Sequence, residues 1–300
     1  YFSFFDANSE EFIGFDNYER WVIDGRQVDD FYRAIRNTLY YVIGVVPLQT
    51  AIALILAVIV NQKWLRGKSF FRTAFYFPSI TSSIVVSFIF LFLFSAGGPI
   101  NAVLGAISPS YEPVAWTTNN DGIFHLALDV VGIEEDNVGA WAETEIFDIE
   151  IWDWIAGPSV ALSTIMGLAI WTTTGTLMVI YLSALQGISS SLYEAAEVDG
   201  ATGWSQFRYI TLPLLRPTTF FVVTLGLIGT FQVFDQIFVL QNDQTARTTT
   251  SVAYLVYSTA FEGNSPNLAE ASSIAIVLFA IIFVATIIQR RLVGSDQAQA

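Results

Sequence analysis

The sequence predicts an all-α fold, a polytopic bundle of membrane-crossing helices, and two observations carry the prediction. Hydrophobic residues make up 53% of the 300-residue chain and charged residues only 13%, far from an average soluble domain. The apolar residues are gathered into blocks instead of recurring at amphipathic period, and about 20 apolar residues in a row let a helix cross a bilayer.

Five blocks are visible: Asn37 to Val60, Thr73 to Phe94, Ser159 to Leu185, Thr218 to Leu240 and Ala271 to Gln289. None contains Lys or Arg. Basic residues mark the cytoplasmic side of short membrane loops. Lys63, Arg66, Lys68 and Arg72 fall between or beside the first two blocks, Arg208 and Arg216 between the third and fourth, and Arg290 and Arg291 after the last. One alternating topology satisfies all three places. It puts residues 1–36 outside, which requires a further span ahead of them, with the aromatic run Tyr1, Phe2, Phe4 and Phe5 reading as its tail. The expected organisation is an external segment 1–36, a membrane domain 37–291 and a cytoplasmic tail 292–300, with about six helices in the intact protein. Arg33 and Arg36 fall on the outer side against the charge bias.

The longest outer loop, Ser95 to Gly157, holds eleven Asp or Glu and no Lys or Arg, and its stretch from about 108 to 153 reads as an acidic insertion. Net charge is −14, and only Lys63 and Lys68 among the thirteen basic residues are lysines. Such acidity argues against nucleic acid as a partner. It also suggests a halophile's adaptation to salt, because molar salt shortens the screening length to about 3 Å and lets dense like charges coexist. Without cysteine, disulfides and thiolate-bound metals are excluded.

The loop SSSLYEAAEVDGATGWSQFRYITLPLLRP, Ser189 to Pro217, carries ordered signals. Ser191 with Glu194 three residues on is a capping-box pattern for a short helix through Leu192, Ala195 and Ala196. Gly200 suits the left-handed position that ends such a helix. A second short helix is expected from near Thr202, with Trp204, Phe207 and Ile210 on one apolar face, and with Pro213 and Pro217 limiting its continuation. The pattern predicts a bent helical pair held at the membrane surface, a protrusion suited to a partner's groove.

The string Glu194, Ala195, Ala196, three residues, Gly200, nine residues, Ile210, one residue, Leu212, Pro213 resembles the signature loop of permease subunits of binding-protein-dependent ABC importers. FIGFDNYERW, RNTLYYVIGVVPLQTAIALILAVIVN, FFRTAFYFPSI, GGPINAVLG, LYEAAEVDGA and FQVFDQIFVL are similar to the carbohydrate-importing permeases of the maltose and glycerol-3-phosphate type, FQVFDQIFVL in particular to the first of their two paired permeases. The resemblance implies that Glu194, Ala195, Ala196, Asp199 and Gly200, with Ile210, Leu212 and Pro213, form the element that docks on an ATPase subunit. It further implies a second homologous permease, ATP-binding ABC ATPase subunits that use ATP and magnesium, an extracytoplasmic solute-binding protein, and a place in the cell membrane. The chain itself is then a pathway subunit with no catalytic residues and no cofactor of its own. The family's first span is absent or truncated here, and the acidic insertion interrupts the interval after GGPINAVLG, on the face where a binding protein lands.

Polar groups inside spans are costly and tend to face protein or a watery cavity. Trp171, Thr172, Thr173 and Thr174 in the third block, and Phe231, Gln232 and Asp235 in the fourth, offer the ring face and hydrogen bonds that a sugar needs, and are candidates for the solute path. Membrane threonines also commonly bond their own helix backbone. Pro47 beside Gly44 reads as a kink or packing element. Gly67, Lys68 and Ser69 lack the first glycine of a phosphate-binding loop, since position 62 is Gln62. His125 has no ligand-spaced neighbours, so no metal site is expected. The competing function, a self-sufficient secondary carrier or channel, predicts buried titratable groups or a selectivity ring, and the spans hold little beyond Asp235.

Overall fold

The computed structural model describes residues 14–23, 28–62, 64–108, 110–133, 141, 144–146, 149–262 and 267–293. The opening aromatic run, Lys63 and the tail from residue 294 lie outside the described residues. After a helical segment at 16–23, the helices are α1 (Val28–Asn61), α2 (Lys68–Ile80), α3 (Ser83–Leu93), α4 (Pro99–Ile107), α5 (Ile123–Val130), α6 (Ile151–Ile155), α7 (Val160–Gln186) and α8 (Ser190–Val198). They continue as α9 (Gly203–Gln206), α10 (Arg216–Phe231), α11 (Asp235–Leu240), α12 (Ala246–Thr249), α13 (Val252–Phe261) and α14 (Leu268–Val293). Among the described residues the strands are β1 (Glu145–Ile146) and β2 (Ile149–Glu150), paired antiparallel in the acidic segment.

By length and apolarity α1, α7 and α14 each suffice to cross a membrane, and two bent helix pairs bring the candidates to five. Two predicted blocks are not continuous helices. Thr73 to Phe94 is broken: α2 ends at Ile80, Thr81 is extended, and α3 resumes at Ser83. Pro78 in the last turn and the polar run Thr81, Ser82 and Ser83 account for the break, with the Thr81 hydroxyl donating to the Phe77 carbonyl at 3.0 Å. Thr218 to Leu240 is likewise broken, because α10 stops at Phe231 and α11 starts at Asp235. Conversely, α1 begins at Val28, ahead of the predicted Asn37.

The described residues form two compact units, the first drawn from those within 14–44, 83–168 and 229–283, the second from those within 45–82, 169–228 and 284–293. In the first, Phe31, Ala34, Tyr41, Leu162, Ile165, Leu168, Ile237 and Ile274 are buried. Gly44 meets Met166 so closely that a Cβ there would overlap the Met166 methyl, so α1 and α7 touch through a missing side chain. Arg33 and Arg36, which run against the charge bias of the expected topology, have acidic and carbonyl partners. Arg33 Nε lies 2.6 Å from Asp29, and Arg36 Nη1 donates to the Asp153 carbonyl at 3.2 Å and stands 3.6 Å from its carboxylate. Asn37 Nδ2 donates to the carbonyls of Arg247 and Thr250, both at 3.1 Å, while Thr38 Oγ1 accepts from the Val252 amide at 3.1 Å. Trp21 Nε1 and Arg20 donate to the Glu270 carboxylate at 3.3 and 3.0 Å, fastening the FIGFDNYERW segment to the first turn of α14.

The acidic segment also belongs to the first unit and is organised around Asn101 of α4. Its Nδ2 donates to the carbonyls of Ala96 and Val114 at 2.9 Å each, and its Oδ1 accepts from Tyr111 at 2.6 Å and from Trp116 Nε1 at 2.8 Å. Further along, His125 stacks on Trp152 with ring centres 4.3 Å apart, and its Nε2 lies 3.1 Å from the Trp152 carbonyl, the arrangement of an Nε2–H tautomer.

The second unit buries Ala53, Ala57 and Val60 of α1 against Leu177, Met178, Tyr181, Leu182 and Leu185 of α7, with Leu215 and Val222 completing the core. α2 crosses α7 at Gly175, where a Cβ would overlap the Phe75 carbonyl oxygen. Ser79 fixes that crossing, donating to the Thr172 carbonyl at 2.5 Å and accepting from the Thr176 amide at 3.2 Å. Lys68 donates to the Asn61 carbonyl at 3.3 Å, closing the C-terminal end of α1, so the Gly-Lys-Ser triplet has a structural task here.

Candidate functional site: the 189–217 loop and the span polar groups

The loop begins with Ser189 as the N-cap of α8, its Oγ accepting from the Ser191 amide at 3.4 Å. This corrects the expected capping box: with the helix starting two residues earlier, Glu194 stands too far along α8 to reach back to a cap amide. Three consecutive serines leave the choice of cap open in the sequence, and the turn after Gly187 selects the first. At the other end Gly200 adopts φ +77°, its amide donating to Glu197 at 3.0 Å and the Ala201 amide to Ala196 at 2.8 Å. That pair of bonds is a Schellman closure, and it explains the spacing between Ala196 and Gly200 as one helix end with its left-handed residue.

Thr202 caps α9 through the Ser205 amide at 3.3 Å, as the sequence suggests. A π-turn over Phe207–Thr211 and a single turn at Leu212–Leu214 follow, and α10 leaves at 64°. The widened turn lies just ahead of Pro213, which has no amide to offer the helical ladder. The two arms of the loop are joined by a hydroxyl–hydroxyl hydrogen bond between Tyr193 and buried Thr211 at 2.9 Å. Leu215 is buried in the core of the second unit, and Tyr181 of α7 donates to Thr219 of α10 at 3.1 Å.

Glu194, Ala195, Asp199, Gly200 and Pro213 are exposed, while Ala196, Ile210 and Leu212 are half-buried. Large apolar side chains around them are also exposed, Val198 at 88% and Trp204 at 69%, with the Trp204 and Phe207 rings 5.6 Å apart. The loop thus combines a stiff mount with an apolar, small-residue surface open for contact.

The threonines of α7 bond their own helix: Thr172 and Thr173 donate to the Ala169 carbonyl at 3.1 and 2.7 Å, and Thr174 to Ile170 at 2.5 Å. Thr173 also reaches Gln49 Oε1 at 2.6 Å. Gln49 is a residue that sequence reasoning missed: it is 1% exposed within an apolar helix, and Gly226 approaches so closely that a Cβ there would stand 2.6 Å from its Nε2. The signal was available, an uncharged amide inside the run VVPLQTAIALILAV. Trp171 is half exposed on the same helix.

Phe231, Gln232 and Asp235 belong to the first unit and the set on α7 to the second. They do not share one helix face: Phe231 is the buried last residue of α10, Gln232 is exposed in the break, and half-buried Asp235 opens α11. The break places Phe234 among aromatic rings that the sequence did not single out, 5.0 Å from Tyr257, 5.5 Å from Phe238 and 6.2 Å from Tyr254.

Long apolar helices and a stiffly mounted, exposed helix pair suit a membrane component that meets a partner. The chain belongs to the family of binding-protein-dependent transport system inner membrane components, whose family model matches residues 49–294. It is 32% identical over 282 residues to the multiple sugar-binding transport system permease MsmF of Streptococcus mutans, covering 94% of this chain and 81% of that one. It is 31% identical over 288 residues to the arabinooligosaccharide transport permease AraP of Halalkalibacterium halodurans, covering 95% and 76%. A solved bacterial ABC transporter that imports the acidic polysaccharide alginate shares the fold, with a TM-score of 0.70 and 24% identity over 94% of this chain and 85% of that one.

Proposed function

We propose that this chain is the pathway subunit of an ATP-driven importer for a sugar or sugar oligomer, paired with a second permease and fed by an external binding protein. The sugar relatives support the substrate class, and the observation that carries the mechanism is the mounting of the loop. Glu194, Ala195, Asp199 and Gly200 are exposed on a hairpin tied by Tyr193 to Thr211 and continuous through Leu215 with α10. A partner ATPase that grips this hairpin moves α10 with it, since a close-packed core transmits displacement. ATP and magnesium are used in that partner; this chain supplies the lever and part of the channel wall.

In this reading residues 1–36 and the acidic segment face the exterior, loop 189–217 faces the cytoplasm, and the membrane domain extends through 37–291. Gln232, Asp235 and the rings around Phe234 offer a solute hydroxyl partners and a stacking face, and Gln49 with Thr173 offers a second polar station. The test is co-purification of the full permease pair with its ATPase, comparing the native chain with Glu194→Lys and Gly200→Pro while recording ATP hydrolysis. Either substitution is expected to release the ATPase or uncouple hydrolysis. Unchanged binding and hydrolysis in both variants would remove the importer reading and return the self-sufficient carrier.

A further inference from the structure

Where the loop turns into α10, a groove of about 510 Å³ is lined by Arg208, Tyr209, Leu212, Pro213, Arg216 and Thr219. The groove lies at the bend, where the π-turn at Phe207–Thr211 and the short turn at Leu212–Leu214 give way to α10. Both arginines are exposed, and among the described residues Arg208 has no carboxylate within 4.0 Å. Two arginines line one groove in a chain whose net charge is −14. Guanidinium forks match phosphate oxygens, the Tyr209 and Thr219 hydroxyls add donors, and the floor of Leu212 and Pro213 is apolar.

We propose that this groove binds the phosphate headgroup of an anionic phospholipid. The surroundings favour a lipid over a free anion. Tyr209 is 72% exposed, and Leu214 and Phe221 beside the groove are exposed, a polar-tipped aromatic next to apolar side chains, as at a membrane boundary. α10 starts at Arg216 and runs directly into the apolar stretch TTFFVVTLGLIGTF, so acyl chains leaving the headgroup meet apolar helix surface. Basic pockets at the edge of membrane helices hold anionic headgroups in this manner. Leu212 and Pro213 also belong to the docking element of the proposed function, so the experiment reads ATPase retention beside lipid binding.

The experiment is native mass spectrometry of the assembled transporter, delipidated and then titrated with phosphatidylglycerol or phosphatidylcholine, in the native form, as Arg208→Gln/Arg216→Gln and as Arg290→Gln/Arg291→Gln. The native complex is expected to retain phosphatidylglycerol preferentially, and the groove variant to lower that preference by roughly thirtyfold, from the typical contribution of two basic residues. The Arg290/Arg291 variant, with the same loss of charge elsewhere, is expected to keep it. A native complex without preference overturns the proposal whatever the variants do. So does displacement of the lipid by millimolar inorganic phosphate, which marks a free-anion site, or a groove variant that loses its ATPase while keeping the lipid, which marks a protein contact.

Discussion

The loop 189–217 and the segment 95–157 are both long polar connectors, but their side chains are used in contrary ways. In the acidic segment Asn101 is buried and makes five hydrogen bonds, and Asp153 holds Arg36. In the loop the family-motif residues Glu194, Ala195 and Gly200 are exposed, and the internal fastening falls to Tyr193, Thr211 and Leu215. Residues that hold a fold are recognised by buried, mutual partners, and residues that meet another protein by their lack of them.

Asn101→Leu gives the largest expected effect on stability. It strands the Trp116 indole N–H, the Tyr111 hydroxyl and two carbonyls, a loss of about 3 kcal/mol. A lowered thermal midpoint in detergent, with ATPase binding intact in the fraction that remains folded, is the expected result. Glu194→Lys is the mirror case, shifting stability by less than about 0.5 kcal/mol while abolishing ATPase co-purification. If the two variants behave alike, the contrast between the regions is wrong.

Arg36→Met comes next at about 1 to 2 kcal/mol, because Arg36 is buried while the Asp153 carboxylate is partly solvated. Denaturant unfolding followed through the tryptophans of the acidic segment reads it. Tyr193→Phe removes one hydroxyl bond, about 1 kcal/mol, and sharpens the comparison inside the loop. Its ATPase is expected to stay bound while solute-stimulated hydrolysis drops severalfold, whereas a change in docking alone would place Tyr193 on the contact surface. Arg247→Gln is the smallest: its ion pair with Asp29 is 3.9 Å long and mostly solvated, so the midpoint moves by less than about 0.5 kcal/mol. A shift of several degrees would show that Asp29, Arg33, Asp153 and Arg247 act as a network.

The loop was legible because its signals are local. Gly200 ends α8 and Thr202 starts α9 through hydrogen bonds spanning a handful of residues, so spacing alone suggests them. Even there the cap fell to Ser189 instead of Ser191, since adjacent serines have equal cap chemistry. The acidic segment was illegible for the opposite reason: Arg36 meets Asp153, and Asn37 meets the carbonyl of Arg247, across more than a hundred residues of chain. The same distance hid the burial of Gln49 against Thr173, while the ring cluster of Phe234 with Tyr257 depends on the helix break after Phe231.

Composition and blockwise apolarity were enough to determine a helical membrane protein, because burial in lipid is decided residue by residue from transfer free energy. The short-range spacings of Glu194 through Pro213 were enough to determine the bent helix pair. Tertiary structure alone decided where the second and fourth apolar blocks break, which glycines allow close helix contact, and which polar side chains find partners. Those outcomes depend on what a distant segment presents at a given point, and hydrophobicity along the chain carries no record of it.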